Sequence, residues 1–258
     1  MLILEIKKIW KLVNEIKKTI YEFPDHLKED IVSIVLYGSL IRNDFKFGIS
    51  DIDIFIIFRD DALNMNIKEI IKKIKSLEKY YNEGRFKDMI DIAWTYYGEL
   101  PLKGSGRQGF FKFLNIYAFD FVKSSIVIYG YDFRDQLEVR DPKNLIASRA
   151  KDILMKLEQA KNRNPDLIPI LAGETIRLAQ LCFGEITINK NVVLDNFLKY
   201  VPDYPMKKTA QLIWFEYMNP GFYEKLSDIE KRDFIRICEK FIRETIKLVR
   251  EYRTKKKL

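Results

Sequence analysis

A chain of 258 residues with 47% hydrophobic content is long enough for one large domain or two ordinary ones and has the material for real cores, so a folded, globular protein is expected. No run of eighteen uninterrupted apolar residues occurs, and Met1 to Trp10 mixes Glu5, Lys7 and Lys8 with apolar residues; neither a membrane span nor a signal segment is expected, which makes the cytoplasm the default location. His26 is the only histidine and Cys182 and Cys238 the only cysteines, so a histidine-based zinc site is excluded, the thiols read as reduced core residues, and any chemistry falls to carboxylates.

The net charge of +8 favours anionic partners in general. Part of that excess is the basic end Arg253-Thr254-Lys255-Lys256-Lys257, which a solvated helix end explains.

Ile6, Ile9, Trp10, Val13, Ile16 and Ile20 recur at three- and four-residue intervals with lysines between them, predicting an amphipathic helix over 2–22 that Pro24 stops. The period then changes. Ile31 to Tyr37 and Ile52 to Phe58 are short apolar, β-branched runs, the signature of buried strands. Helical spacing returns over 66–81, and Asp88 to Tyr97 predicts a third strand. A Gly-rich loop follows from Gly98 to Gly109, then a helix from Phe110 to Val122 and a strand over Ile126 to Tyr129 closed by Gly130.

Asp141-Pro142 places an N-cap before a proline at the first helical position. Beyond it the chain is helix-periodic, broken at Asn164-Pro165, Gly184, Pro202 to Pro205 and Asn219-Pro220, with Ser227-Asp228-Ile229-Glu230 as a capping box for the last helix. The composition thus shifts between residues 135 and 141. An α+β protein is predicted: a small mixed β-sheet domain over 1–138 and an all-helical bundle over 139–258.

The most informative stretch is Tyr37-Gly38-Ser39-Leu40-Ile41-Arg42, a polar connection through Gly48, and Ser50-Asp51-Ile52-Asp53-Ile54. Alternation along a strand sends Asp51 and Asp53 to one side and Ile52 and Ile54 to the other. Like charges held that close raise one another's pKa unless a cation sits between them, and hard oxygen ligands suit Mg²⁺. A strand ending in Gly38-Ser39 lets the backbone approach a phosphate, with N–H groups and the Ser39 hydroxyl as donors. Arg42 adds a candidate bidentate phosphate contact. These are the two halves of a phosphoryl-transfer site.

Holding two metals at the usual separation of roughly 4 Å needs a further carboxylate. Asp91 is the best candidate, because in Met89-Ile90-Asp91-Ile92-Ala93-Trp94 an unpaired charge within a buried strand asks for a partner. Asp88, at the start of that run, is the runner-up, and Asp60-Asp61 reads as a solvated turn.

Over residues 31–97 the sequence resembles the nucleotidyltransferase superfamily related to DNA polymerase beta, whose signature is Gly-Ser, then Asp-x-Asp, then a later carboxylate. The resemblance implies that Gly38 and Ser39 bind a nucleoside triphosphate and that Asp51 and Asp53 ligate two Mg²⁺ ions. It gives Asp91 the catalytic metal and a part in activating an acceptor hydroxyl. The reaction implied is in-line attack on the α-phosphate with release of pyrophosphate.

The helical half is similar, more loosely, to the C-terminal domain of kanamycin nucleotidyltransferase and its relatives, through Leu171 to Ala179 and Thr187-Ile188-Asn189-Lys190 leading into Val192 to Tyr200. That likeness implies an acceptor-binding role, with Asp152 or Glu174 as a candidate general base.

After Arg42, Asn43-Asp44-Phe45-Lys46-Phe47 replaces the small residues common in the family, and the basic helical half argues against an aminoglycoside acceptor. A small molecule, a protein or an RNA remains open as acceptor, and the helices leave room for a homodimer. The alternative reading is a non-catalytic nucleotide- or RNA-binding module on the same fold; clustered acids that repel phosphate argue against it.

Overall fold

The computed structural model describes residues 2–46, 50–80, 89–107, 118–184, 186–201, 203–219 and 221–256. The chain forms two compact units, one comprising Met1–Leu114 and Asp120–Val139, the other Asn115–Phe119 and Arg140–Leu258.

The first unit is built on a mixed four-stranded sheet. Its strands are β1 (Ile31–Tyr37), β2 (Ile52–Phe58), β3 (Ile90–Tyr96) and β4 (Ser125–Gly130), in the order β3-β2-β1-β4. β1 pairs antiparallel with β2 and with β4, whereas β2 and β3 run parallel. A parallel pair needs a crossover, and α3 (Asn64–Lys75) with the following 3₁₀ turn Ser76–Tyr80 lies within that connection.

The central strands β1 and β2 are buried almost throughout, as their unbroken apolar runs require. Ile34, Leu36, Ile52, Ile54 and Ile56 pack on one side against Ile9, Leu12, Val13 and Ile16 of α1 (Leu2–Tyr21) and Ile67, Ile70 and Ile74 of α3. The short helix α2 (Asp25–Lys28) adds Leu27 to that core. On the other side Val35, Tyr37, Phe55 and Ile57 form a smaller core with Leu100, Phe121, Phe133 and Leu137.

One sequence expectation changes here, and a second is covered only in part by the described residues. β3 is an edge strand whose middle is only half-buried, so Asp91 is exposed rather than enclosed; water reaches an edge strand from the side that lacks a neighbour. The helix expected over 110–122 appears as α4 (Ala118–Lys123), and its earlier part lies outside the described residues.

The second unit is helical: α5 (Pro142–Arg163), α6 (Ile168–Phe183), α7 (Lys190–Leu198), α8 (Tyr204–Tyr217), α9 (Gly221–Glu224) and α10 (Asp228–Lys256). Asp141 caps α5 by accepting from the Lys143 N–H at 2.9 Å, with Pro142 in the first turn. The capping box before α10 also forms. Glu230 Oε2 accepts from the Ser227 N–H at 2.8 Å, and the Glu230 N–H reaches Ser227 Oγ at 3.4 Å.

α6 runs through the centre of this unit, burying Ala172, Ile176, Leu178, Ala179 and Leu181 against α5, α7, α8 and α10. Cys182 and Cys238 are free and buried in the same core, and burial pushes the Cys182 thiol up to about 11. Among the described residues no helix is long and apolar enough to cross a membrane.

Candidate active site

The site begins with strand register. Tyr37 pairs with Asp53, and Asp53 with Asp91, so one row across β1, β2 and β3 sends three side chains to the same face of the sheet. Asp51 lies two residues before Asp53, on the same side by alternation. The structure brings all three acids together: ligand oxygens from Asp51, Asp53 and Asp91 lie within 4.8 Å of one another. Asp51 and Asp91 are exposed and Asp53 is half-buried. A carboxylate set this close, hard in character and open to solvent on one side, is chemically suited to a divalent cation such as Mg²⁺.

Gly38 carries the chain out of β1 with φ +84°, and a Cβ there would lie 2.1 Å from Asp53 Oδ2. Only glycine permits both the left-handed turn and the close approach to that carboxylate. The Gly38 N–H donates to the Ser124 carbonyl at 3.2 Å, the Arg42 N–H to the Gly38 carbonyl at 3.0 Å, and the Asp44 N–H to the Ser39 carbonyl at 3.0 Å. Ser39 is 4% exposed, and its Oγ has no hydrogen-bond partner among the described residues. A buried hydroxyl with nothing to bond is costly, and a phosphate oxygen beside this turn is a partner of the right chemistry.

Tyr37, which the sequence presents merely as the end of a strand, sits beside the acids with its ring packed on Phe121 at 5.3 Å. Burial first, then the negative charges of Asp53, Asp91 and Asp51, push its hydroxyl far above the usual phenol range. It therefore stays a protonated donor at every physiological pH.

Arg42, expected from the sequence as a phosphate contact, has two carboxylates against its guanidinium. Its Nε lies 3.3 Å from Asp44 Oδ1, and its Nη1 forms an ion pair with Asp120 Oδ2. Asp120, on α4, also accepts from Ser124 Oγ at 3.1 Å. Burial raises its carboxyl, and Arg42 opposes that shift. The sequence reading missed Asp120; the available signal was a charge between Phe119 and Phe121 in an otherwise apolar run.

The remaining candidates have their own local settings. Asp61 pairs with Arg59 on the surface, and Asp60 accepts from the Gly98 N–H at 2.6 Å. Asp88 lies outside the described residues. In the helical unit Asp152 is exposed on α5. Glu174 on α6 is bound by Arg177 at 2.6 Å, by the Tyr217 hydroxyl at 2.7 Å and by Arg149 at 3.5 Å. Burial alone would raise the Glu174 carboxyl; Arg177, Tyr217 and Arg149 outweigh it and hold it down to about 2. A carboxylate that acidic is a poor proton acceptor near neutral pH.

The Gly-Ser turn, the Asp-x-Asp pair and the later acid on a mixed sheet define a nucleotidyltransferase domain, and residues 8–87 match the family model of that name, the Nucleotidyltransferase domain. The resemblance read from the sequence therefore holds over that segment, which carries a nucleotidyltransferase domain, and the C-terminal region that follows is helical. In fold it is similar to the spectinomycin adenyltransferase AAD(9) from Enterococcus faecialis, solved with ATP and spectinomycin. The likeness covers 92% of this chain and 99% of that one, at a TM-score of 0.63 and 14% identity. At that identity the shared property is the fold. No curated protein matches the chain.

Proposed function

We propose that this protein transfers a nucleoside monophosphate from ATP, or another nucleoside triphosphate, to a hydroxyl of a small-molecule acceptor in the cytoplasm. The observation that carries the reading is the convergence of Asp51, Asp53 and Asp91 within 4.8 Å beside a glycine turn that holds Ser39, whose buried Oγ has no hydrogen-bond partner among the described residues.

In this scheme Asp51, Asp53 and Asp91 hold two Mg²⁺ ions, which when bound neutralise charge on the triphosphate. Gly38 and Ser39 take the phosphates, the turn's tight backbone leaving room for them and the Ser39 hydroxyl donating to an oxygen. The acceptor oxygen bonds to the α-phosphorus as the bond from that phosphorus to the bridging oxygen breaks. Pyrophosphate leaves, and the hydroxyl proton passes to Asp91. Tyr37 keeps its proton and adds a fixed dipole beside the acids.

The small-molecule acceptor is supported by the shared fold with an adenyltransferase solved with such a molecule, a likeness that extends over the helical half. The basic helical half favours a neutral or anionic acceptor over a polycationic one.

The test incubates the protein with each labelled nucleoside triphosphate and Mg²⁺ over separate pools of small metabolites, RNA and protein. Label is expected in the small-molecule fraction and is lost with a chelator or with Asp53→Asn. Label in RNA or protein moves the acceptor to that class. No label under any nucleotide, with tight nucleotide binding kept in Asp53→Asn, leaves the binding-module reading standing and the transferase reading refuted.

A further inference from the structure

The Gly38–Asp44 turn is clamped from behind by a group that the sequence does not associate with it. Arg42 has a side chain 10% exposed, between Asp44, which is 1% exposed, and Asp120, which is 7% exposed. Asp120 reaches the turn by two routes. Its carboxylate holds the Arg42 guanidinium. Its own carbonyl accepts from the Ser124 N–H at 2.7 Å, and the Ser124 carbonyl accepts from the Gly38 N–H at 3.2 Å. The hydrogen bond from Ser124 Oγ to Asp120 Oδ1, at 3.1 Å, ties these routes together. One residue thus braces both ends of the turn that carries Ser39, by its carboxylate at Arg42 and through Ser124 at Gly38.

We propose that Asp120 is a positioning residue for nucleotide binding, acting through Arg42, and that Arg42 is a strut of the turn and not a phosphate ligand. The inference rests on the nucleotidyltransferase reading of the site. The physical reason is the burial of the cluster. To reach a phosphate, the guanidinium has to withdraw its charge from two carboxylates out of water, and breaking a buried ion pair is far more costly than breaking a solvated one. Kept in place, it fixes the backbone of residues 38–44 by charge-assisted hydrogen bonds, which are directional and strong. Preorganising the turn lowers the cost of ordering it around the triphosphate, so the benefit falls on nucleotide affinity.

The two roles for Arg42 predict opposite signs. If Arg42 is a phosphate ligand that Asp120 restrains, removing the Asp120 charge frees it and nucleotide binding stays the same or tightens. If Arg42 is a strut, the same change weakens binding. The experiment measures equilibrium binding of a non-hydrolysable ATP analogue with Mg²⁺ to the full chain, and pyrophosphate release at saturating nucleotide. It compares wild type, Asp120→Asn, Arg42→Gln and the double variant.

Asp120→Asn and Arg42→Gln are each expected to weaken binding about tenfold, as for loss of a charge-assisted pair. The double variant is expected to be no worse than Arg42→Gln alone, because both act through one contact. Turnover at saturation should stay within about threefold, since no group touching the reacting atoms has changed. Where Asp120→Asn melts out, Ser124→Ala, which removes only the hydroxyl brace, takes its place and is expected to weaken binding about threefold. Wild-type or tighter binding in Asp120→Asn, or in Ser124→Ala where it is used, overturns the proposal, as do strictly additive losses in the double variant. A wild-type chain that binds no nucleotide overturns the transferase reading itself, which is a separate result.

Discussion

Asp53 on β2 and Asp91 on β3 are register partners across the parallel strand pair, which places two carboxylates side by side on one face of the sheet with Asp51 as their near neighbour. A cluster of like charges destabilises the metal-free protein and rewards a divalent cation.

Asp53→Asn therefore has opposite effects on stability and on function. Without metal the variant should melt at or above the wild-type temperature, because one like charge has gone. The wild type should gain stability with Mg²⁺, by about 2.7 kcal/mol when the ion stands at a hundred times its dissociation constant, and the variant should gain far less. Pyrophosphate release should fall by about a hundredfold or more. Thermal melts with and without Mg²⁺, run beside the activity assay, check both; an unchanged Mg²⁺ response in the variant rules out Asp53 as a ligand.

Gly38→Ala tests the turn. The new methyl has to sit where Asp53 Oδ2 is 2.1 Å away, on a backbone at φ +84°. The strain alone costs about 1–3 kcal/mol, and either the turn or the carboxylate has to shift. We expect a lower melting temperature together with loss of Mg²⁺-stimulated nucleotide binding. A variant that binds the ATP analogue like the wild type contradicts the close approach.

Glu174 makes the helical unit sensitive to acid. Its folded pKa, about 2, lies below the ordinary carboxylate value, so its contribution is fully present above roughly pH 4.5 and is lost as pH falls toward 2. The contribution is on the order of 3 kcal/mol. Glu174→Gln leaves Arg177 and Arg149 without their shared carboxylate, so it should destabilise at neutral pH and flatten the acid limb of the unfolding profile. Acid titrations followed by circular dichroism test this; an unchanged acid limb counts against it.

Glu216 works in the opposite sense. It is 5% exposed on α8, and burial pushes its carboxyl up to about 7. A folded pKa above the unfolded one means that the neutral form is favoured in the fold. Stability therefore declines as pH rises from about 4.5 to about 7 and levels off above that. Glu216→Gln should be more stable than wild type at pH 8, by roughly 1–3 kcal/mol, with the gain vanishing below about pH 4.5. Denaturant midpoints at the two pH values decide it. Equal gains at both would show that the benefit is one of packing.

Some of this molecule could be read directly from its residues. β1 and β2 fall at Ile31–Tyr37 and Ile52–Phe58, where the unbroken apolar runs lie, because a strand covered on both faces has little room for polar side chains. The Asp141 cap and the Ser227–Glu230 box form because capping depends on residues within one turn of each other. The helix expected over 66–81 is more ambiguous. It forms as Asn64–Lys75 with a 3₁₀ continuation to Tyr80, since helix ends depend on what packs against them.

Other features had no local trace. Nothing near Asp91 tells that β3 is the outermost strand, so its exposure followed only from the strand order. Arg42 and Asp120 are 78 residues apart in sequence, so spacing after a Gly-Ser pair could not tell that this carboxylate lies against the guanidinium. Tyr37 joins the acids solely through its register with Asp53.

The sequence by itself determined that Asp51 and Asp53 share a side and that a glycine stands at the turn, because alternation along a strand and freedom at positive φ are properties of a few adjacent residues. Tertiary structure decided which strand lies beside β2, what Arg42 binds and how deeply each acid is buried. Those outcomes depend on which distant segments exclude water from one another, and no local stretch of chain carries that information.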